Sequence, residues 1–290
     1  MIVGYYPGCS LTGTGKEYDM SLRKVLSLLD VQVEEINDWC CCGATSAHAT
    51  NHLLSVALPA RNLMLAQKQN LNELLAPCAA CYNRLIGSKH EISHNADLKK
   101  KVEFVLEEDF NSSTEVINIV QLLQKVGKEK IKSLVKVSLK DIKVACYYGC
   151  LLVRPNAVTK FDDAENPTSM EDIISATGAL TVEWNYKTEC CGGAHSIARK
   201  DIVTFLSKNI LDDAKLNGAH VIVVACPMCH SNLDMRQRAI KKLYPSHEEI
   251  PVLYLSELIG IALGLNGKEL GINLHFVDAI NLLQMVKAEM

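Results

Sequence analysis

The chain has 290 residues, 48% of them hydrophobic and 22% charged, with a formal net charge of −3. That length accommodates two ordinary domains with separate cores, and the near-neutral charge argues against a nucleic-acid partner, which needs a concentrated Lys/Arg surplus. No run approaches the roughly 18 apolar residues of a membrane span, and the opening Met1-Ile2-Val3-Gly4-Tyr5 reads as a strand rather than an export signal, so the expected localisation is cytoplasmic.

The predicted elements alternate strand and helix. Val3–Cys9 is a β-rich run that ends on Gly8 and delivers Cys9. Residues 17–30 read as a helix and Val31–Ile36 as a strand that leads to Cys41-Cys42-Gly43. A long helical stretch follows from Ala44 to Asn70, in which Pro59 is expected to cause a kink or a split. A strand around 72–77 then runs into a helix beginning at Cys78-Ala79-Ala80-Cys81. The lysines at Lys99-Lys100-Lys101 are followed by Glu103, Glu107, Glu108 and Asp109, a solvated face. The first copy closes with the strand-to-helix run Val116–Leu123.

The pattern then repeats. Val144–Cys150 answers Val3–Cys9, and residues 169–177 and Leu180–Tyr186 read as helix and strand before Cys190-Cys191-Gly192. A strand at 219–225 leads to Cys226-Pro227-Met228-Cys229, and Val252–Ile259 answers Val116–Leu123. The boundary falls around Lys132–Asp141, which divides the chain into 1–137 and 138–290. A final helix is expected over Asn273–Glu289, with Leu274, Val277, Ile280, Leu283 and Val286 on its apolar face; its role is either to cap the second domain or to meet a partner. The fold class is therefore α/β, two tandem pseudo-symmetric units, each a small parallel sheet flanked by helices, plus a C-terminal helix.

Ten of the twelve cysteines belong to the repeat. The lone cysteine and the pair are separated by 31 and 39 residues, the pair and the CxxC by 35 and 34. Each interval is about a helix, a strand and their turns, so the chain returns to the same sheet edge, where ligands of α/β sheets gather. In a reducing compartment these thiols read as ligands or catalytic groups rather than as disulfides. Five soft thiols exceed what one tetrahedral ion takes, and adjacent cysteines in an extended segment point apart unless Gly43 and Gly192 turn the chain sharply. Both points favour a multinuclear iron–sulfur cluster in each copy, with zinc at one site as the fallback.

Tyr5-Tyr6-Pro7-Gly8-Cys9-Ser10, Lys16-Glu17-Tyr18-Asp19, Asp38-Trp39 before Cys41-Cys42-Gly43-Ala44, and Leu58-Pro59-Ala60-Arg61-Asn62-Leu63 resemble the B subunit of heterodisulfide reductase, a protein of two CCG domains. The pattern by itself also occurs in subunits of succinate and fumarate reductases, glycolate oxidase and lactate-utilisation proteins; those usually carry ferredoxin-like segments, absent here, or lack the Tyr-Tyr-Pro-Gly-Cys-Ser opening. The resemblance implies two noncubane [4Fe-4S] clusters, one held by Cys9, Cys41, Cys42, Cys78 and Cys81, the other by Cys150, Cys190, Cys191, Cys226 and Cys229. It implies reduction of the disulfide joining coenzyme M and coenzyme B, with electrons arriving through the complex's ferredoxin-like C subunit from its flavin-containing A subunit. The alternatives are a homologous subunit of a bacterial sulfur-oxidising or electron-bifurcating complex acting on another thiol or disulfide, or an electron-transfer subunit with no substrate of its own.

Cys40 and Cys146 fall outside the repeat and are expected to be buried, unliganded thiols. His195, just after the second pair, is either a proton donor or an ordinary hydrogen-bonding side chain, and His230 after Cys229 has the same two readings. Arg84 and Lys187 either meet an anionic substrate tail or face water.

Overall fold

The structure is a computed structural model and describes residues 1–279 and 282–284. The first half runs β1 (Ile2–Tyr5), α1 (Gly8–Thr12), α2 (Lys16–Leu28), β2 (Gln32–Glu35), α3 (Ser46–Thr50), α4 (His52–Lys68), β3 (Glu73–Leu75), α5 (Ala79–His94), α6 (Ala96–Leu106), β4 (Glu115–Ile117), α7 (Ile119–Val126) and α8 (Lys128–Leu134). The second runs β5 (Lys143–Tyr147), α9 (Asn156–Thr159), α10 (Ser169–Ser175), β6 (Leu180–Thr181), α11 (Lys200–Leu216), β7 (Val221–Val224), α12 (Pro227–Met235), α13 (Gln237–Leu243), β8 (Val252–Tyr254), α14 (Leu255–Ala262) and α15 (Gly267–Leu270).

Each half forms a four-stranded sheet, ordered β2-β1-β3-β4 and β6-β5-β7-β8, with every pairing parallel. Parallel sheets need helices on both faces, and the four valine and isoleucine residues of β7 are accordingly all buried. In α2 the buried Tyr18, Ser21, Leu22, Val25 and Leu26 recur at three- and four-residue spacing, one apolar stripe. That stripe does not stay within its own half. α2 packs on α14 and α15 of the second half, while α10 of the second packs on α7 of the first. Ser21 and Ser256 share a hydrogen bond of 2.7 Å in the middle of the α2–α14 contact.

Three expectations are corrected. The long helix breaks at Asn51 and not at Pro59: the Asn51 side chain accepts the Leu54 N–H as an N-cap, and α4 then runs through Pro59. Pro59 cannot donate to the Ser55 carbonyl four residues earlier, and the neighbouring Val56 carbonyl accepts the Ser88 hydroxyl of α5 at 2.8 Å. The strand expected over Leu180–Tyr186 is only two residues long. The Trp184 indole N–H takes the Cys146 carbonyl at 3.1 Å, a carbonyl that a longer β6 would use. Finally, Asn273–Ala279 is not α-helical. A 3₁₀ turn covers Ile272–Leu274, and the Asp234 carboxylate accepts the N–H groups of Phe276 and Val277, which holds the next residues in a loop. Ile280 and Val286 lie outside the described residues.

Candidate metal centre

All three cysteine elements of each copy leave the carboxyl end of a strand. β1 and β5 deliver Cys9 and Cys150, the loops after β2 and β6 carry the pairs, and β3 and β7 end at Cys78 and Cys226, the N-caps of α5 and α12. Repeat-related bonds hold the pair loops in place. Tyr6 Oη donates to the Cys40 carbonyl at 2.7 Å, and Tyr147 Oη donates to the Glu189 carbonyl at 2.5 Å. Cys40 thus stands where the second copy has glutamate, and its backbone makes the bond that both copies share. Its half-buried Sγ lies 3.6 Å from the Leu58 carbonyl, whereas Cys146 is fully buried in β5 as expected.

Gly43 and Gly192 adopt φ of +71° and +78°, the sharp turn that follows each pair. Their N–H groups point back at Cys41 Sγ (3.4 Å) and Cys190 Sγ (3.3 Å). Behind the turn, Cys42 Sγ lies 3.4 Å from Cys81 Sγ and Cys191 Sγ lies 3.7 Å from Cys229 Sγ. All twelve cysteines are free thiols, and in each set the second cysteine of the pair and both CxxC cysteines are buried. A Cβ on Gly8 would lie 3.0 Å from Cys81 Sγ, and one on Gly149 would lie 3.0 Å from Cys229 Sγ. Glycine is required at both points because the thiols crowd the backbone there.

The two sets meet. Cys78 and Cys226 approach each other across the interface between the halves, near enough for each thiol to shift the proton affinity of the other. Protons are unequally shared along this chain of thiols: donation from Cys229, then from Cys78, holds Cys226 well below the usual thiol range. Cys78 is correspondingly pushed up, first by Cys226. Soft donors, partly deprotonated, five to a copy and mostly dry, fit an iron–sulfur cluster.

Next to the second set is a cavity of ≈ 250 Å³. Cys150, Cys190, Cys191, Cys226 and Cys229 form one wall, and Ala44, Ala79, Ala80, His48 and Arg84 of the first half form the other. Arg84 Nη1 lies 3.0 Å from His48 Nδ1, and the guanidinium charge helps to hold the Cys42 thiol low, after the hydrogen bonds from Cys41 and Cys81. Arg84 is therefore at the site, while Lys187 is not. Lys187 is buried in an ion pair with Glu171 at 2.9 Å and does not face water. His195 sits on the exposed 3₁₀ turn Gly193–His195, where its charge acts on Cys190 without lining the cavity. His230 is buried, with Nε2 3.0 Å from the Val252 carbonyl. Sequence reasoning missed Tyr148 and Met228 on the cavity wall, and Asn232, whose amide donates to the Cys191 carbonyl at 3.1 Å. Superposing the two CxxC helices pairs Asn232 with Arg84, a signal present in the repeat.

The cysteine-rich CCG domain matches residues 3–86 and 144–234, more than half of the chain. Over its length the chain is similar to the 8-methylmenaquinol:fumarate reductase membrane anchor subunit of Wolinella succinogenes, 34% identical over 96% of this chain and 98% of that one. It is also similar to the B subunit of the ferredoxin/F(420)H(2)-dependent CoB-CoM heterodisulfide reductase of Methanosarcina acetivorans, 28% identical over 97% of this chain and 95% of that one. A hypothetical protein from Helicobacter pylori shares the fold at a TM-score of 0.74 with 12% identity; the chain, 96% covered, spans about half (52%) of that longer one. Among the described residues no helix is long and apolar enough to cross a membrane.

Proposed function

The chain belongs to the CCG cysteine-rich-domain family, in the two-domain form of the heterodisulfide reductase B subunit, and from that premise we propose that it is the iron–sulfur catalytic subunit of a heterodisulfide reductase-type complex. In this reading residues 1–137 and 138–290 are its two domains, and each set of five cysteines holds one noncubane [4Fe-4S] cluster in a reducing, cytoplasmic compartment. Such a cluster supplies single electrons and thiophilic iron. The reaction is reduction of a small disulfide of the CoM-S-S-CoB type by two electrons and two protons to give two thiols. Electrons come from the partner proteins of the complex, the ferredoxin-like C subunit and the flavin-containing A subunit.

The observation that carries this reading is the junction of the two thiol sets at Cys78 and Cys226, beside a cavity walled by both halves. That junction lets one-electron sites serve a two-electron bond. Ala44, Ala79, Ala80 and Met228 keep the cavity wall dry, and Arg84 faces the anionic end of the substrate. By donating to His48 Nδ1, Arg84 fixes the tautomer with its proton on Nε2. His48 thus presents Nε2–H as a hydrogen-bond donor to a leaving thiolate in the cavity, which the exposed His195 does not line.

Purified without oxygen, the protein is expected to be brown, with about eight irons per chain, and to release thiols from heterodisulfide when reduced. Zinc in place of iron would overturn the cluster assignment. The 34% identity to the fumarate reductase subunit favours a second reading, an electron-carrying subunit of a quinol-linked reductase. Iron-loaded protein that is reduced by a menaquinol analogue, yet never releases thiols even with its partner subunits, would establish that reading over the first.

A further inference from the structure

One cluster of ionisable groups lies outside the cysteine sites, and the repeat itself singles it out. Both α7 and α14 begin with the same cap. The Gln121 side chain accepts the Asn118 N–H at 2.9 Å, and the Glu257 carboxylate accepts the Tyr254 N–H at 2.8 Å. A neutral amide serves this purpose in the first copy, so the cap does not need the carboxylate that the second copy has. Glu257 is nevertheless fully buried, and its other oxygen lies 3.0 Å from His275 Nε2. His275 has no counterpart in the first copy, because the loop that carries it follows the repeat. Asp234 anchors this loop through the N–H groups of Phe276 and Val277.

A column of rings joins this pair to the second cysteine set. His230, the residue after Cys229, stacks on Tyr254 at 4.2 Å and meets His275 edge-on at 4.4 Å. Tyr254 in turn stacks on Tyr18 of the first half at 4.1 Å. In the first copy Tyr82 and Asn118 stand where His230 and Tyr254 stand here, and the position of Glu257 is taken by Gln121, so no acid–imidazole pair forms at this place. The charged and titratable groups that face the pair are Glu17 and Tyr18 from α2, His230 and Asp234 from α12, and Tyr254; Arg238 and the Lys24–Glu269 pair lie further out. His275 also borders a surface cleft of ≈ 580 Å³, which leads to water.

We propose that Glu257 and His275 form a buried proton-holding pair that takes up one proton from water when the centre held by the second cysteine set accepts one electron. The proposal rests on the iron–sulfur reading above. The electron comes from a one-electron donor, dithionite in the test, and the proton enters by the cleft, so the charge of the interface is unchanged. The physical reason is that an added negative charge in a dry interior has no water to offset it. A unit charge about 10 Å away at an effective dielectric of about 20 raises a proton affinity on the order of tenfold. Burial pushes the Glu257 carboxyl up to about 7 against the opposing pull of His275, which puts its proton within reach at neutral pH.

The test is redox titration of the iron-loaded protein between pH 6 and 8.5, followed by electron paramagnetic resonance. In wild type one centre should become harder to reduce as pH rises. In Glu257→Gln, which reproduces the Gln121 cap, that dependence should flatten while the other centre is unchanged. His275→Gln should flatten it as well, an independent check if Glu257→Gln folds poorly. A pH-independent wild type, or variants with the wild-type slope, would overturn the proposal and leave the cluster reading intact. Iron-free wild type would remove both. Stoichiometric zinc lost in either variant would instead make His230, Glu257 and His275 a metal site and overturn the proton-holding role.

Discussion

Gly8 and Gly149 do the same job in the two copies. Each follows a strand, takes a positive φ (+62° and +66°) and leaves room for a CxxC thiol from another element. An alanine at either position incurs about 1–2 kcal/mol of left-handed strain and pushes its Cβ against sulfur. Gly8→Ala is therefore expected to lose the iron of the first set and keep that of the second, roughly half the wild-type content, with Gly149→Ala the mirror case. Iron analysis of the two purified variants checks this, and equal loss from both sets in either variant would contradict it. At the same scale, Cys40 stands outside the repeat by its spacing, and the part of it that both copies share is its carbonyl, held by Tyr6 as that of Glu189 is held by Tyr147.

Among the elements, α14 combines a structural cap with a buried charge, and its stability should report on both. Glu257 is raised to about 7, chiefly by burial, and His275 is raised because the hydrogen bond and charge of Glu257 outweigh its own burial. Both groups therefore hold protons in the folded chain at pH values where the unfolded chain has released them. Stability from groups with raised values is present at low pH and lost as pH rises through the folded values. Unfolding by denaturant should show a decline of up to about 3 kcal/mol between pH 5 and pH 8, and Glu257→Gln should reduce that slope. A slope that is unchanged in the variant would place the dependence elsewhere.

At the scale of the molecule, the halves exchange helix contacts: α2 of the first meets α14 and α15 of the second, and α10 of the second meets α7 of the first. The buried faces of α2 and α14 carry Leu22, Val25, Leu26, Leu258 and Ile261, and exposing one such side chain removes about 1.5–3 kcal/mol of burial. Residues 1–137 or 138–290 produced alone should accordingly be insoluble or bind each other, with co-expression restoring a 1:1 complex measurable by size and light scattering. Two halves that are each soluble, folded and monomeric would contradict this. The same interface brings Cys78 to Cys226, so cutting it should also uncouple the two thiol sets.

The two sheets, their helices and the grouping of the cysteines were legible in the linear chain, because hydrophobic period and strand-end glycines are local properties and the chain states each of them twice. The truncated β6, the break at Asn51 rather than Pro59 and the loop at His275–Ala279 were not legible. Two are decided by a partner distant in sequence, the Trp184 indole against the Cys146 carbonyl and the Asp234 carboxylate under Phe276 and Val277; the break follows the local Asn51 cap on the Leu54 N–H, a signal that Pro59 masks. The same holds for the site. Ten thiols in two sets follow from spacing alone, since a helix and a strand return the chain to one sheet edge. That the sets approach each other, that Arg84 faces the second set while Lys187 is buried elsewhere, and that Glu257 meets His275 depend on how two sheets dock. Docking is set by side-chain packing across an interface, and no local pattern in the sequence encodes it.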